Sequence, residues 1–170
     1  MNDKYNIIYI EKTEDELTMI NDIYDYAYKL DNDNEYVSFY EVFKILLKDK
    51  DCIVCRKSAA DLLGYSNGGF RKNIEVYSAK DYNLSYLKCH VVDDLSKIPF
   101  KYFHEIKVVP IENTIGELLK DKKSDQQILL ETLANYYCDH NDSYDGINFP
   151  KKISKKINWL LEEGKKYYES

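Results

Sequence analysis

The sequence predicts an α+β domain in which helices come first, a small mixed sheet follows, and helices close the chain. Three observations point there. Thr13 with Glu16, and Ser38 with Glu41, repeat capping-box spacing ahead of apolar residues at helical period. Between residues 52 and 109 the period changes, and CIVC, IEVY, SYLKCHVV and IKVV form short runs rich in β-branched and apolar residues. From residue 115 onward the apolar residues return to helical spacing. Helices set before and after a block of strands give this fold class.

The elements follow in order. Residues 6–10 make a short apolar run, an edge strand or an extended arm. Glu14, Asp15 and Glu16 suit the positive end of a helix dipole, and Leu17, Ile20, Ile23, Tyr24 and Ala27 share a face, so residues 14 to about 30 read as an amphipathic helix. DNDNE ends it. Phe39, Val42, Phe43 and Leu46 give a second, shorter helix behind Ser38. Residues 1–48 are thus an acidic helical segment, and residues 49–170 the α+β domain.

CIVC is too brief for a helix of its own. Behind it, Ala59, Ala60, Leu62 and Leu63 fall at helical spacing, with Ser58 expected as the N-cap and Gly64 as a left-handed C-terminal cap. After the turn residues Ser66, Asn67, Gly68 and Gly69, Ile74 and Val76 alternate with Glu75 and Tyr77, the pattern of a half-buried strand. Residues 85–92 and 106–109 read as further strands. Leu95, Ile98, Pro99, Phe100, Tyr102 and Phe103 lie between them in a connection rich in aromatics. Pro110 stops the last strand, and Glu112, Asn113 and Thr114 lead into a helix with Ile115, Leu118 and Leu119 on one face. A helix over residues 125–138 carries Ile128, Leu129, Leu133, Ala134, Tyr136 and Tyr137. Residues 141–148 are a polar turn bounded by Phe149 and Pro150. The last helix is expected to start near Lys151, with Ile153, Ile157, Leu160 and Leu161 inward.

A net charge of −6 argues against the whole molecule acting as a general polyanion binder. The charge is unevenly spread: residues 1–51 carry a net −7, residues 52–149 a net −2 and residues 150–170 a net +3. An acidic head and a basic tail are separable features. At 170 residues and 44 % apolar content the chain can build one domain's core, and its 17 Tyr supply part of the burial. No basic and apolar leader pattern appears, and no apolar run approaches the ~20 residues that cross a bilayer, so a cytoplasmic protein without a membrane partner is expected.

The residue constellations offer little chemistry. Cys52 and Cys55 form a lone CxxC, and in an extended CIVC their sulfurs point to opposite faces, so these thiols are read as small apolar residues. His90, His104 and His140 are scattered, without the matched pairs of a zinc site. Asn67, Gly68 and Gly69 mark a turn, far from a phosphate-loop pattern. Adjacent Asp93 and Asp94 diverge and suit a solvated turn. Ser58 lacks a base and an oxyanion cradle in view. No catalytic residue, metal or cofactor is therefore expected. Two charge features remain as candidate partner-binding positions. Lys151, Lys152, Lys155 and Lys156 would form a strip on the last helix, stacked at i, i+4 opposite Ile153, Ile157 and Leu160. Arg71 and Lys72 beside Phe70 form a smaller basic and aromatic patch. The two helices of the first 48 residues leave no room for a third, basic recognition helix, and their acidity would repel phosphate.

Three segments carry a resemblance. CIVCRKSAADLLGYSNG is similar to the antitoxin domain of AbiE-type abortive-infection systems, where a strand and a helix led by Ser/Thr-Ala end in a Leu-Gly pair. IEVYS, then VVPIENTIGELLKD and a helix ending NYY, look like the later strand and the "ER-T" helix start of that domain. The matching positions are Ser58, Ala59, Leu63, Gly64, Glu112 and Thr114, with Asn113 standing where the family usually has Arg. The likeness covers about residues 50–140. It implies a bacterial or mobile-element antitoxin of the type IV class, opposing a nucleotidyltransferase-like toxin encoded beside it, not necessarily through a stable complex. In the family an N-terminal winged helix binds promoter DNA; here the first 50 residues are too short and too acidic for one, so DNA binding is not expected.

Three hypotheses follow. The chain is a non-enzymatic binding module of antitoxin type; or an acidic inhibitor that imitates nucleic acid, as Asp22, Asp25, Asp31 and Asp33 suggest; or a small hydrolase or transferase whose site only tertiary folding assembles.

Overall fold

The computed structural model describes residues 43–44, 46–66, 73–84 and 86–169. The expected arm and helix before residue 42, the acids Asp22, Asp25, Asp31 and Asp33, and the Arg71 and Lys72 patch lie outside the described residues. Phe43, Lys44 and Leu46, at the end of the expected second helix, are helical, and Phe43 and Leu46 are completely buried.

The architecture is α+β. Strand β1 (Cys52–Val54) leads into helix α1 (Arg56–Leu62), then β2 (Ile74–Ser78), β3 (Leu87–Val91) and a short 3-10 turn at Leu95–Lys97. Strands β4 (Lys101–Phe103) and β5 (Ile106–Val108) follow, and helices α2 (Ile111–Lys120), α3 (Gln126–Asp139) and α4 (Lys155–Lys166) close the chain. Among the described residues one five-stranded sheet runs β3-β2-β1-β5-β4. β1 is central, antiparallel to β2 and parallel to β5, with Val54 opposite both Val76 and Val108. A strand covered on both sides reads as an unbroken apolar run, as CIV does.

Alternation divides the sheet into two faces. Val54, Ile74, Val76 and Val108 pack with Phe43, Leu46 and Leu47 on one side. Ile53, Cys55 and Val109 pack with Tyr77, Leu95 and Ile98 on the other. The two sulfurs of CxxC therefore fall in different clusters, as the period-two geometry requires. Burial pushes the Cys52 thiol up to about 12, and burial, then Glu117 and Glu75, hold Cys55 well above the ordinary thiol range. A third cluster joins Ile111, Ile115 and Leu118 of α2 to Leu129 and Leu133 of α3 and Leu160 of α4. α1 stands between these layers: Ala59 faces the sheet cluster and Ala60 the helical one. Two adjacent small side chains let one short helix serve both.

Three expectations are corrected. Ser58 is not an N-cap. The cap position is Cys55, with no side-chain cap bond, and the buried Ser58 Oγ instead accepts a hydrogen bond from the Glu75 amide at 2.8 Å, fastening α1 to β2. Lys101–Phe103, within the aromatic connection, is strand β4, paired with β5 through a hairpin. Its two turn residues, His104 and Glu105, have φ of 47° and 69°. Such a turn usually announces itself by Asn-Gly or Asp-Gly, and this one does not. Finally, α4 begins at Lys155, because Ser154 caps it by accepting from the Ile157 amide at 3.2 Å. Lys151 and Lys152 precede the helix, so the i, i+4 lysine strip does not form, and Ile153 is exposed.

Gly64 does end α1 as expected. At φ 80° it brings the Tyr65 amide to Ala60 O at 2.8 Å and its own amide to Asp61 O at 3.0 Å, a Schellman ending.

Candidate functional site

The α2 helix ends at Lys120 and the turn of residues 121–125 reverses the chain. Asp125 stops that turn by accepting from the Gln127 and Ile128 amides at 2.9 and 3.2 Å, which starts α3. Ser124 Oγ donates to Leu118 O at 2.8 Å and holds the turn against the helix it has just left. α4 packs beside α3, and the segment before α4 passes in front of the turn. The end of α2 and the starts of α3 and α4 together enclose a groove of about 490 Å³.

Its floor is aliphatic, with Leu118, Leu129, Ile157 and Leu160. Lys120, Lys122, Lys152 and Lys156 stand around it, and among the described residues Asp121 is the only acid in the lining. None of these four lysines forms an ion pair among the described residues, whereas Lys44, Lys88, Lys97, Lys107 and Lys165 each do. Lys155 and Lys156 lie in the first turn of α4, at the positive end of its dipole. Cations there oppose folding by a few tenths of a kcal/mol each. The arrangement costs stability, and what it creates is a positive field over an apolar trough.

Lys152 and Lys156, chosen from sequence as partner-binding positions, thus meet in one groove. Lys151 and Lys155 are exposed beside it but outside its lining. Lys120 and Lys122 complete the rim, and no periodicity in the sequence announces them; the fold brings them opposite residues 152–157. The family-motif positions do not gather into a site. Ala59, Leu63 and Gly64 shape α1. Thr114 is buried and donates from Oγ1 to Val109 O at 3.2 Å, tying α2 to the end of β5. Glu112 O accepts from the Asn148 amide at 3.1 Å.

A second group of ionisable side chains, absent from the sequence reading, lies on the Ile53 face of the sheet. The parallel pairing of β2 with β3 sets Glu75 opposite Lys88 and Tyr77 opposite His90. Buried Glu75 Oε1 lies 3.3 Å from both Lys88 Nζ and His90 Nε2. Burial pushes this carboxyl up, but the His90 hydrogen bond and the Lys88 charge outweigh it and hold it below the usual range. Tyr77 donates to Glu117 Oε2 at 2.6 Å, and burial raises both groups. Arg56 Nη1 lies 3.7 Å from Asp121 Oδ2. Arg56 has φ 53°, a left-handed conformation that costs a non-glycine residue ~1 kcal/mol. These groups pair with one another across β2, β3, α1 and α2, and their chemistry is that of a fastening.

The histidines stay apart. His140 stacks on Tyr136 with centroids 3.7 Å apart, His104 sits in the β4–β5 turn and His90 bonds Glu75. Among the described residues no cluster of His, Cys, Asp and Glu is placed to hold a metal ion, and no helix is long and apolar enough to cross a membrane. Comparison of the chain with protein-family models, with curated proteins and with solved structures finds no match.

Proposed function

We propose that the chain is a non-enzymatic, antitoxin-like binding module of the cytoplasm, which counteracts a nucleotidyltransferase-type toxin by non-covalent contact. The observation that carries this reading is the lysine-rimmed groove. It sets four lysines that form no ion pair among the described residues around an aliphatic floor at a cost in helix stability, and it supplies apolar area and predominantly positive charge, the two ingredients of a specific contact. The carboxyl groups on the sheet face support it from the other side, since Glu75 is paired with Lys88 and His90 and Glu117 with Tyr77. The resemblance over residues 50–140 supplies the class of partner.

The test is co-expression with a nucleotidyltransferase-type toxin encoded beside this gene. Growth returns with the native chain and fails to return with a folded Lys152→Glu/Lys156→Glu variant. Growth arrest that persists beside well-folded native protein rejects the proposal.

A further inference from the structure

We infer that the groove takes an acidic amphipathic helix, contributed by a protein partner, with aliphatic residues in the trough and carboxylates against the lysines. The inference rests on the reading of the chain as a binding module and adds the chemistry of what is bound.

The floor decides the apolar part. Leu118, Leu129, Ile157 and Leu160 are well-buried side chains that line the groove, and the volume of about 490 Å³ lies within the range of ligand-sized sites. A trough between helix ends suits the anchors of an amphipathic helix, spaced at i, i+3, i+4 and i+7. The rim decides the charge. Lys120, Lys122, Lys152 and Lys156 approach from two separate segments of chain, and none has an ion-pair partner among the described residues. A helix laid in the groove meets cations from both segments.

Nucleic acid fits less well. Binding of single strands relies on aromatic platforms for the bases, and among the described residues the lining contains no aromatic one. Asp121 lies in the lining, Asp125 caps the adjoining helix, and the chain as a whole carries −6. Together they oppose a polyphosphate more than a short peptide with a few carboxylates.

Binding is read from the fluorescence anisotropy of a labelled probe. The probe is a synthetic helical peptide with leucines at i, i+3, i+4 and i+7 and glutamates along both flanks, titrated into the full chain. The expected result is a saturable rise in its anisotropy, with affinity weakened about tenfold by Lys152→Glu/Lys156→Glu and weakened again by added salt. A peptide with serine in place of leucine should lose binding as well. Charge reversal at the start of α4 favours its dipole, so an unchanged or raised melting temperature shows that the variant folds. Equal affinity for native and reversed chains overturns the inference, as does equal binding of the serine peptide. Displacement of the peptide by a duplex or single-stranded oligonucleotide overturns it in favour of nucleic acid. Self-association of the native chain that the reversal abolishes overturns it in favour of a second copy. If the peptide fails but co-expression still relieves the toxin, this inference falls and the antitoxin reading stands.

Discussion

The hydroxyl of Tyr77 donates a 2.6 Å hydrogen bond to the carboxylate of Glu117, joining β2 to α2 across 40 residues of chain. Beside it, Glu75 is held by Lys88 and His90. One sheet face therefore carries two carboxyl groups displaced in opposite directions, Glu117 upward by burial and Glu75 downward by its partners against burial.

Their pH dependence has opposite sign. Folded Glu117 holds its proton more tightly than the unfolded chain does. Its contribution favours folding fully below the unfolded value and is lost as pH rises through the folded value. Folded Glu75 releases its proton more readily, so its contribution is present above the unfolded value and lost as pH falls through the folded one. Urea midpoints followed from about pH 3 to pH 8 should show Glu117→Gln flattening the decline on the neutral side. Glu75→Gln should flatten the acid limb and cost about 1–3 kcal/mol at neutral pH, because it leaves Lys88 and His90 without their carboxylate. Parallel curves for the two variants would contradict these assignments.

Ser58→Ala removes the hydroxyl that receives the Glu75 amide and leaves a buried N–H without a partner, at a cost of about 1–3 kcal/mol. Hydrogen exchange locates the loss. Protection should fall at the Glu75 amide, on β2, ahead of the first turn of α1. Loss confined to α1 would restore the capping role.

Gly116→Ala should cost about 2–3 kcal/mol, since overpacking against backbone has little room to relax. A Cβ there would collide with the carbonyl oxygen of Asn148, which α2 meets where the Asn148 amide bonds Glu112 O. Gly64→Ala meets no neighbouring atom but must keep φ 80°, and should cost only ~1 kcal/mol. Reversal of that order in chemical denaturation would place the tight approach elsewhere.

Thiol labelling should separate the four cysteines. Cys138 is exposed and should react first in the native protein. Cys52 and Cys55 are buried, with thiols pushed far above neutral pH, and should react only as the chain unfolds. Fast native labelling of Cys52 would mean that the first sheet face is open.

Much of the fold is legible in the sequence because its signals are local. Gly64 marks the end of α1, Asp125 the start of α3, and the alternation around Ile74 and Val76 the face of β2. β4 escapes because its strand has three residues and its turn is built from His104 and Glu105, neither of which signals positive φ. The start of α4 is misplaced because the apolar period runs back through Ile153, while Ser154 offers a cap one residue later. The groove is half legible. Lys152 and Lys156 stand out as charge, but Lys120 and Lys122 become their neighbours only through the reversal at residues 121–125. Glu75 and Lys88 pair only because β2 and β3 run parallel in one particular register, which no local pattern encodes.

The central strand has a consequence for the order of assembly. β1 is complete at Val54, yet one of its two neighbours is not synthesised until Val108. Until then three apolar residues present an open edge, and closing so long a loop delays the last pairing. Refolding should therefore show the β1–β2 ladder protected early and the β5 side late, with aggregation most severe in the interval between them.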